Sequence, residues 1–208
     1  MNLPAFYPIL DTETARRHGI AVIDAASEIL EAGARILQFR HKGLFSREVF
    51  RQAEGVAELC KEAGALFVLN DRADLACLLA SALHLGQDDL SPSDARRIIG
   101  GTAIVGFSTH NERQLRESVS EPVNYIAFGP IFGTISKLNP DAVVGVDMLS
   151  ELRALTEHPL VAIGGITRSN ALSVIAAGAN SVAVIGDLFP ANGDLRGRVT
   201  EWLQLLPE

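Results

Sequence analysis

Cysteine is nearly absent from this chain: Cys60 and Cys77 are the two in 208 residues, and they form no CxxC pair. That scarcity excludes a disulfide framework or a thiolate zinc site, and both residues are expected to be reduced thiols packed in apolar helical stretches. Long apolar runs are absent too. No stretch approaches the roughly 18 residues needed to span a bilayer, and Asp11, Glu13, Arg16 and Arg17 interrupt any secretory core. A soluble, cytoplasmic protein is the expectation. Positive charge is in deficit, with 18 Lys and Arg against 25 Asp and Glu for a net charge of -7. This argues against a nucleic-acid partner, which would need a basic face, so any bound anion must be held by a local pocket. No linker or low-complexity tract breaks the chain, and residues 1–208 read as one domain.

What is present is a regular alternation. Eight short apolar runs recur: Phe6 to Leu10, Arg35 to Phe39, Leu66 to Leu69, Ala82 to Leu85, Ala103 to Gly106, Tyr125 to Phe128, Leu160 to Ile163 and Ser181 to Ile185. Their nearly continuous apolar character suits strands of a parallel sheet, covered on the outside by helices. Amphipathic segments lie between them at Ala21 to Gly33, Ser46 to Gly64, Asn111 to Ser120, Val146 to Glu157 and Ser169 to Gly178, with a last helix near Asp194 to Leu206. Ser46 and Ser91-Pro92 suit helix starts, and Gly33, Gly64, Gly100 and Gly178 suit helix ends. Eight such units predict an α/β fold, a (β/α)8 TIM barrel, in preference to an open doubly wound sheet. The longest irregular stretch, Gly129 to Gly145, follows the sixth strand, and loops of that length are often functional.

Polar residues gather at the C-terminal ends of these strands, where barrel enzymes assemble their sites. In Gln38-Phe39-Arg40-His41-Lys42, alternation sends Gln38, Arg40 and Lys42 to one side, two cations and an amide suited to a polyphosphate. The competing reading is a solvated basic loop. Asn70-Asp71 and Asp88-Asp89 offer hard oxygen ligands of the kind that hold Mg2+ together with substrate phosphates, and the rival role is capping the helix near Ser91. Gly164-Gly165 and Gly186 follow the seventh and eighth strands, where backbone amides often take a phosphate, although glycine also serves tight turns. Two anion sites, one with metal ligands and one without, suggest a diphosphate facing a monophosphate. His84 reads as a satisfied core or rim histidine, His18 and His158 as surface or helix-end positions, and Trp202 as core packing.

From Phe6-Tyr7 through Phe189 the chain resembles the thiamine phosphate synthase family. The resemblance rests on an ordered set: Gln38-Phe39-Arg40-His41-Lys42, Asn70-Asp71, Gly86-Gln87-Asp88-Asp89, Gly106-Phe107-Ser108-Thr109-His110, and Gly129 to Lys137. It implies a transferase that joins a pyrimidine methyl diphosphate to a thiazole phosphate, with pyrophosphate leaving first. By this resemblance Gln38, Phe39, Arg40, His41, Lys42 and Asn70 line the pyrimidine diphosphate site, with Ser108 beside them, and Asp71 and Asp89 hold Mg2+. Thr134, Ile135, Ser136, Gly165, Ile185 and Gly186 contact the thiazole phosphate and Lys137 the diphosphate, and Arg40, Lys42, Ser108 and Lys137 carry the catalysis. Phe39, His41, Gly133 and Gly186 depart from the family's usual Leu, acid, Pro and Ser, and the last change removes a hydroxyl from the thiazole phosphate side. Two rivals share the fold: a thiazole tautomerase using His110 as its acid-base group, and a non-catalytic regulator that binds thiazole phosphate. The partners implied are small molecules; a homo-oligomer stays open, since no motif encodes association.

Overall fold

The computed structural model describes residues 2–134 and 141–206. Strands β1 (Phe6–Asp11), β2 (Ile36–Arg40), β3 (Leu66–Asn70), β4 (Ala82–Leu85), β5 (Val105–Thr109), β6 (Tyr125–Phe128), β7 (Leu160–Ile163) and β8 (Ser181–Val184) form a closed barrel in sequence order. Each pairs in parallel with its neighbours, and β1 closes on β8 through Phe6 opposite Val182. The helices are α1 (Thr12–Arg17), α2 (Val22–Glu31), α3 (Arg47–Glu62), α4 (Ala73–Leu78), α5 (Pro92–Ile99), α6 (Glu112–Ser118), α7 (Gly145–Leu152), α8 (Ala171–Ala176) and α9 (Leu195–Leu205). Two 3-10 turns add to them, at Arg153–Leu155 and Gly186–Leu188.

Strand alternation divides the interior into two cores. Tyr7, Ile9, Ile36, Val68, Ala82, Tyr125, Ala127, Val161 and Ala183 fill the inside of the barrel. Residues of the opposite parity, among them Leu10, Leu37, Phe39, Leu69, Leu83, Leu85, Ile126 and Phe128, pack outward against the helices. Trp202 of α9 is fully buried in this outer layer and stacks on Phe6 at 5.3 Å, so it is a packing residue as expected.

The helix ends follow the sequence signals. Ser46 and Ser91 cap α3 and α5 by accepting hydrogen bonds from the Val49 and Asp94 amides. Gly33, Gly64, Gly100 and Gly178 all have positive φ. Three expectations need correction. Strand β5 starts at Val105 and runs on through Ser108 and Thr109, because the Thr109 hydroxyl is buried and bonded to the Ala127 carbonyl. Helix α7 ends at Leu152 and tightens into the first 3-10 turn before Glu157. Cys60 is a core thiol, its pKa pushed up to about 12 by burial, but Cys77 is exposed. Only Ala73 and Ala76 of the six-residue α4 are buried, and Cys77 lies off that face beside exposed Leu78. Among the described residues no helix is long and apolar enough to cross a membrane.

One glycine decides the shape of the barrel interior. Gly106 on β5 sits in register between His84 on β4 and Tyr125 on β6. A Cβ there would lie 2.0 Å from Tyr125 Cζ, so the missing side chain is what lets the tyrosine ring lie across the inner layer. Gly106→Ala is therefore expected to cost about 1–3 kcal/mol of stability through overpacking. A lowered urea midpoint at unchanged slope would show it, and an unchanged midpoint would refute this account of Gly106.

Candidate active site

The parity that fills the barrel also loads its mouth. Continuing the inward positions to the C-terminal ends of the strands brings Asp11, Arg40, Asn70, His84 and Ser108 to one end of the barrel. Phe39 has the opposite parity and is fully buried among the outer-core residues beside Phe45. Its side chain thus faces the helices, on the side away from Gln38 and Arg40, as alternation along the strand requires. His41 is turned to the start of α1 and to its own loop, bonded to Thr12 Oγ1 at 2.7 Å and to the Leu44 carbonyl at 3.2 Å, and set edge-on to Phe45.

Asp11, not singled out from the sequence, stands in register with Arg40 and forms an ion pair with its guanidinium. It also caps α1, accepting from the Thr14 amide and hydroxyl, both at 2.8 Å. Its side chain is 5% exposed and that of Arg40 16%, so the carboxylate fixes the cation in a largely dry setting. The available signal was the general one, a polar residue closing the first strand. The six residues of helix α1 carry no apolar period, so the sequence does not mark it as a helix.

Lys42 donates to Asp71 Oδ2 at 2.6 Å, bridging the loop after β2 to the turn after β3. Asp71 has φ 68, a left-handed conformation that aspartate tolerates better than most residues, and its amide donates to the His84 carbonyl at 2.8 Å. Burial pushes the Asp71 carboxyl up to about 6; Lys42 opposes that rise and the neighbouring Asp89 carboxyl adds to it. Asp89 does not cap α5, a role taken by Ser91; its Oδ2 accepts from the Gly86 amide at 2.7 Å, while Asp88 is exposed. Two carboxylates thus converge where water is scarce, an arrangement that a hard cation relieves. Among the described residues no group of three or more His, Cys, Asp or Glu side chains gathers. Such a pair fits Mg2+, which commonly takes one or two carboxylates and completes its shell with water and substrate phosphates. Beside it the Asn70 side-chain amide nitrogen is buried without a partner, a donor that a ligand oxygen would satisfy.

Beneath these groups, Gln38, Tyr7, Tyr125, His84 and Ser108 form one hydrogen-bonded chain, with links of 2.8 to 3.0 Å. His84 is the satisfied buried histidine expected. Burial pushes its pKa down to about 4, so the ring is neutral at pH 7.

The opposite side of the mouth is built from the loops after β6, β7 and β8. Backbone bonds from Ile131 to the Ile163 carbonyl and from Phe132 to the Gly164 carbonyl, both 2.9 Å, seat the first of these loops on the second. A Cβ on Gly165, whose φ is 61, would come within 2.4 Å of the Gly133 carbonyl oxygen, so loop packing already demands that glycine. Gly186 opens the second 3-10 turn directly after Ile185, and Asp187 behind it pairs with Arg168 at 3.1 Å. Thr134 ends the described part of the loop; Ile135, Ser136 and Lys137 lie outside the described residues. His110 Nδ1 lies 2.7 Å from the Gly129 carbonyl and 3.7 Å from Asp141, tying β5 to this loop. A cleft of about 500 Å³ lined by Val119, Asn124, Leu155 and Pro159 opens at the other end of the barrel and holds none of these residues.

Removing one partner of a buried ion pair leaves the other charge uncompensated. Asp11→Ala, which also removes the α1 cap, is expected to lower stability by about 3–5 kcal/mol, whereas Glu13→Ala in the exposed pair with Arg16 should leave the urea midpoint nearly unchanged. Equal urea midpoints for the two variants would refute the assignment of Asp11 as the anchor of Arg40.

The thiamine monophosphate synthase family model matches residues 6–188. The chain is 46% identical to a thiamine-phosphate synthase of Koribacter versatilis, covering 99% of this chain and 97% of that protein. It is 36% identical to the one of Nitrosococcus oceani, over 99% and 94% of the two chains. In three dimensions it is similar to a thiamine phosphate pyrophosphorylase from Pyrococcus furiosus, with a TM-score of 0.84 and 29% identity over 96% and 94% of the chains. A closed parallel barrel with paired cations and converging carboxylates at its mouth, and sequence agreement along nearly its whole length, place this chain in the thiamine monophosphate synthase family.

Proposed function

We propose that this protein is a transferase that condenses 4-amino-2-methyl-5-(diphosphooxymethyl)pyrimidine with thiazole phosphate, or its carboxylated form, to give thiamine phosphate and pyrophosphate. The observation that carries the reading is the mouth of the barrel: Arg40 held by Asp11, Lys42 held by Asp71, and Asp71 beside Asp89, in a chain of this family. In the reaction the bond from the pyrimidine methylene carbon to the diphosphate oxygen breaks, and the thiazole nitrogen lends its electron pair to that carbon. The chemistry needs charge neutralisation on the leaving group and alignment of two rings more than it needs a general base.

Arg40 and Lys42 meet the diphosphate, the first through a planar fork and the second as a compact charge. The unpartnered amide of Asn70 supplies a further donor on the same side. Asp71 and Asp89 would hold Mg2+, which when bound neutralises diphosphate oxygens. On the opposite side, Thr134, Gly165 and the Ile185-Gly186 turn form the place for the thiazole phosphate; the family resemblance assigns Ile135 and Ser136 to that same ligand and Lys137 to the diphosphate. With Gly186 in place of the usual serine, the backbone amide is the remaining donor at that position. The tautomerase and regulator readings have no leaving pyrophosphate and so give the Arg40, Lys42, Asp71 and Asp89 set no task.

Purified protein given both substrates should release pyrophosphate and form thiamine phosphate only when Mg2+ is present. Asp71→Asn, which keeps a residue tolerant of positive φ, is expected to lower kcat/KM by about 10²–10³-fold, the scale of losing one preorganised electrostatic contact to a transition state. Turnover without metal would remove Mg2+ from the scheme. Isomerisation of carboxythiazole phosphate in place of condensation would replace the synthase by the tautomerase.

A further inference from the structure

The chain of side chains under the mouth is longer than holding one histidine requires. Gln38 Nε2 donates to the Tyr7 hydroxyl at 2.9 Å, the Tyr7 and Tyr125 hydroxyls meet at 2.8 Å, Tyr125 reaches His84 Nδ1 at 3.0 Å, and His84 Nε2 reaches Ser108 Oγ at 2.9 Å. Gln38, Tyr7, Tyr125 and His84 are between 0 and 7% exposed, while Ser108 stands half-buried at the end of the chain. Each tyrosine hydroxyl owns a single hydrogen, so the direction of one link sets the direction of the next. Tyr7, accepting from Gln38, gives its hydrogen to Tyr125. Tyr125 then gives its own to His84 Nδ1, which must be unprotonated, and the ring hydrogen sits on Nε2 and points at Ser108 Oγ. That oxygen is thereby an acceptor on its inner side, and its hydroxyl hydrogen is left for the barrel mouth.

We propose that Tyr7, Tyr125 and His84 are positioning residues whose one-way relay from Gln38 holds His84 as its Nε2–H tautomer and turns Ser108 into a hydrogen-bond donor toward the pyrimidine diphosphate. The inference rests on the synthase reading for the identity of that ligand, but the relay itself is a property of the free protein. A diphosphate and a ring nitrogen both offer lone pairs, so a donor at Ser108 is the useful polarity. The opposite one would need the Gln38 amide turned over and would face the ligand's lone pairs with those of Ser108. Gly106 belongs to the device, because its missing Cβ is the space in which the Tyr125 ring stacks on His84, 5.6 Å between centroids at 22°. The tyrosines resist ionisation in this setting: burial pushes Tyr7 up to about 12 and raises Tyr125 as well, which keeps both hydroxyl hydrogens in place.

Nitrogen-15 NMR of the histidine side chains in the ligand-free wild type reads the tautomer directly; His84 should carry its hydrogen on Nε2, and an Nδ1–H signal would overturn the proposal. The kinetic counterpart is a double-mutant cycle. Tyr125→Phe removes the donor to Nδ1 and should lower kcat/KM for the pyrimidine diphosphate by about three- to tenfold, the usual range for one hydrogen bond. In a Ser108→Ala background the same change should cost less than about twofold, because the relay acts through that hydroxyl. Equal penalties in both backgrounds would show that Tyr125 acts by packing alone and would also overturn the proposal. Failure of the wild type to make thiamine phosphate would instead sink the synthase reading, and the tautomer measurement would still decide the relay.

Discussion

Every strand of this barrel is read twice, once from inside and once from outside, because alternate residues of a parallel strand face opposite sides. Closure of β1 on β8 leaves no free edge, so the register of each pair constrains the others. In the lower part of the barrel the inward positions carry Ile36, Val68, Ala82 and Val161, which pack on one another. Further along β1 to β5 the same parity delivers Asp11, Arg40, Asn70, His84 and Ser108. The site is thus the polar continuation of the inner core, and a slip of one residue in any strand would bury its functional group among the helices.

An acidic protein that must hold anionic substrates faces a contradiction in net charge, and the structure resolves it locally. Among the described residues, two cations at the mouth are each pre-set by a carboxylate, Arg40 by Asp11 and Lys42 by Asp71. Asp11 anchors a helix as well and is buried, so its partner is held in a narrow range of positions. Asp71 lies on a left-handed turn beside a second carboxyl, and burial lifts its pKa to about 6. Asp71 is thus a strongly perturbed carboxyl, and its surroundings are where a divalent cation and a polyphosphate would change the energetics most.

The buried hydrogen-bonded chain answers a different constraint. A polar group left without a partner in the interior costs on the order of 1–3 kcal/mol, so a tyrosine pair inside a barrel is tolerable only when both hydroxyls are bonded. Gln38, Tyr7, Tyr125 and His84 satisfy one another and end at Ser108, so the fold stabilises a polar interior and orients a site group by the same contacts. Asn70 nitrogen is the contrast: buried, unpaired and next to the carboxylates, it is an unfilled place among otherwise matched groups.

By itself the sequence determined the barrel and the end of it at which polar groups gather. Strands covered on both faces read as apolar runs whatever their partners, and serine and glycine mark helix ends by local backbone energetics alone. It also placed Arg40, Lys42, Asn70, Asp71, Asp89 and Ser108 among the site residues, since polar groups at strand ends stand out against those runs. Tertiary structure decided the pairings. That Asp11 anchors Arg40 and that Gly106 makes room for Tyr125 to reach His84 depend on register between strands distant in sequence, and that Cys77 is exposed depends on which face of α4 the barrel covers. Hydrogen-bond partners across a closed sheet are set by which residues the barrel brings level, and a one-dimensional pattern carries alternation within a strand but not the alignment between strands.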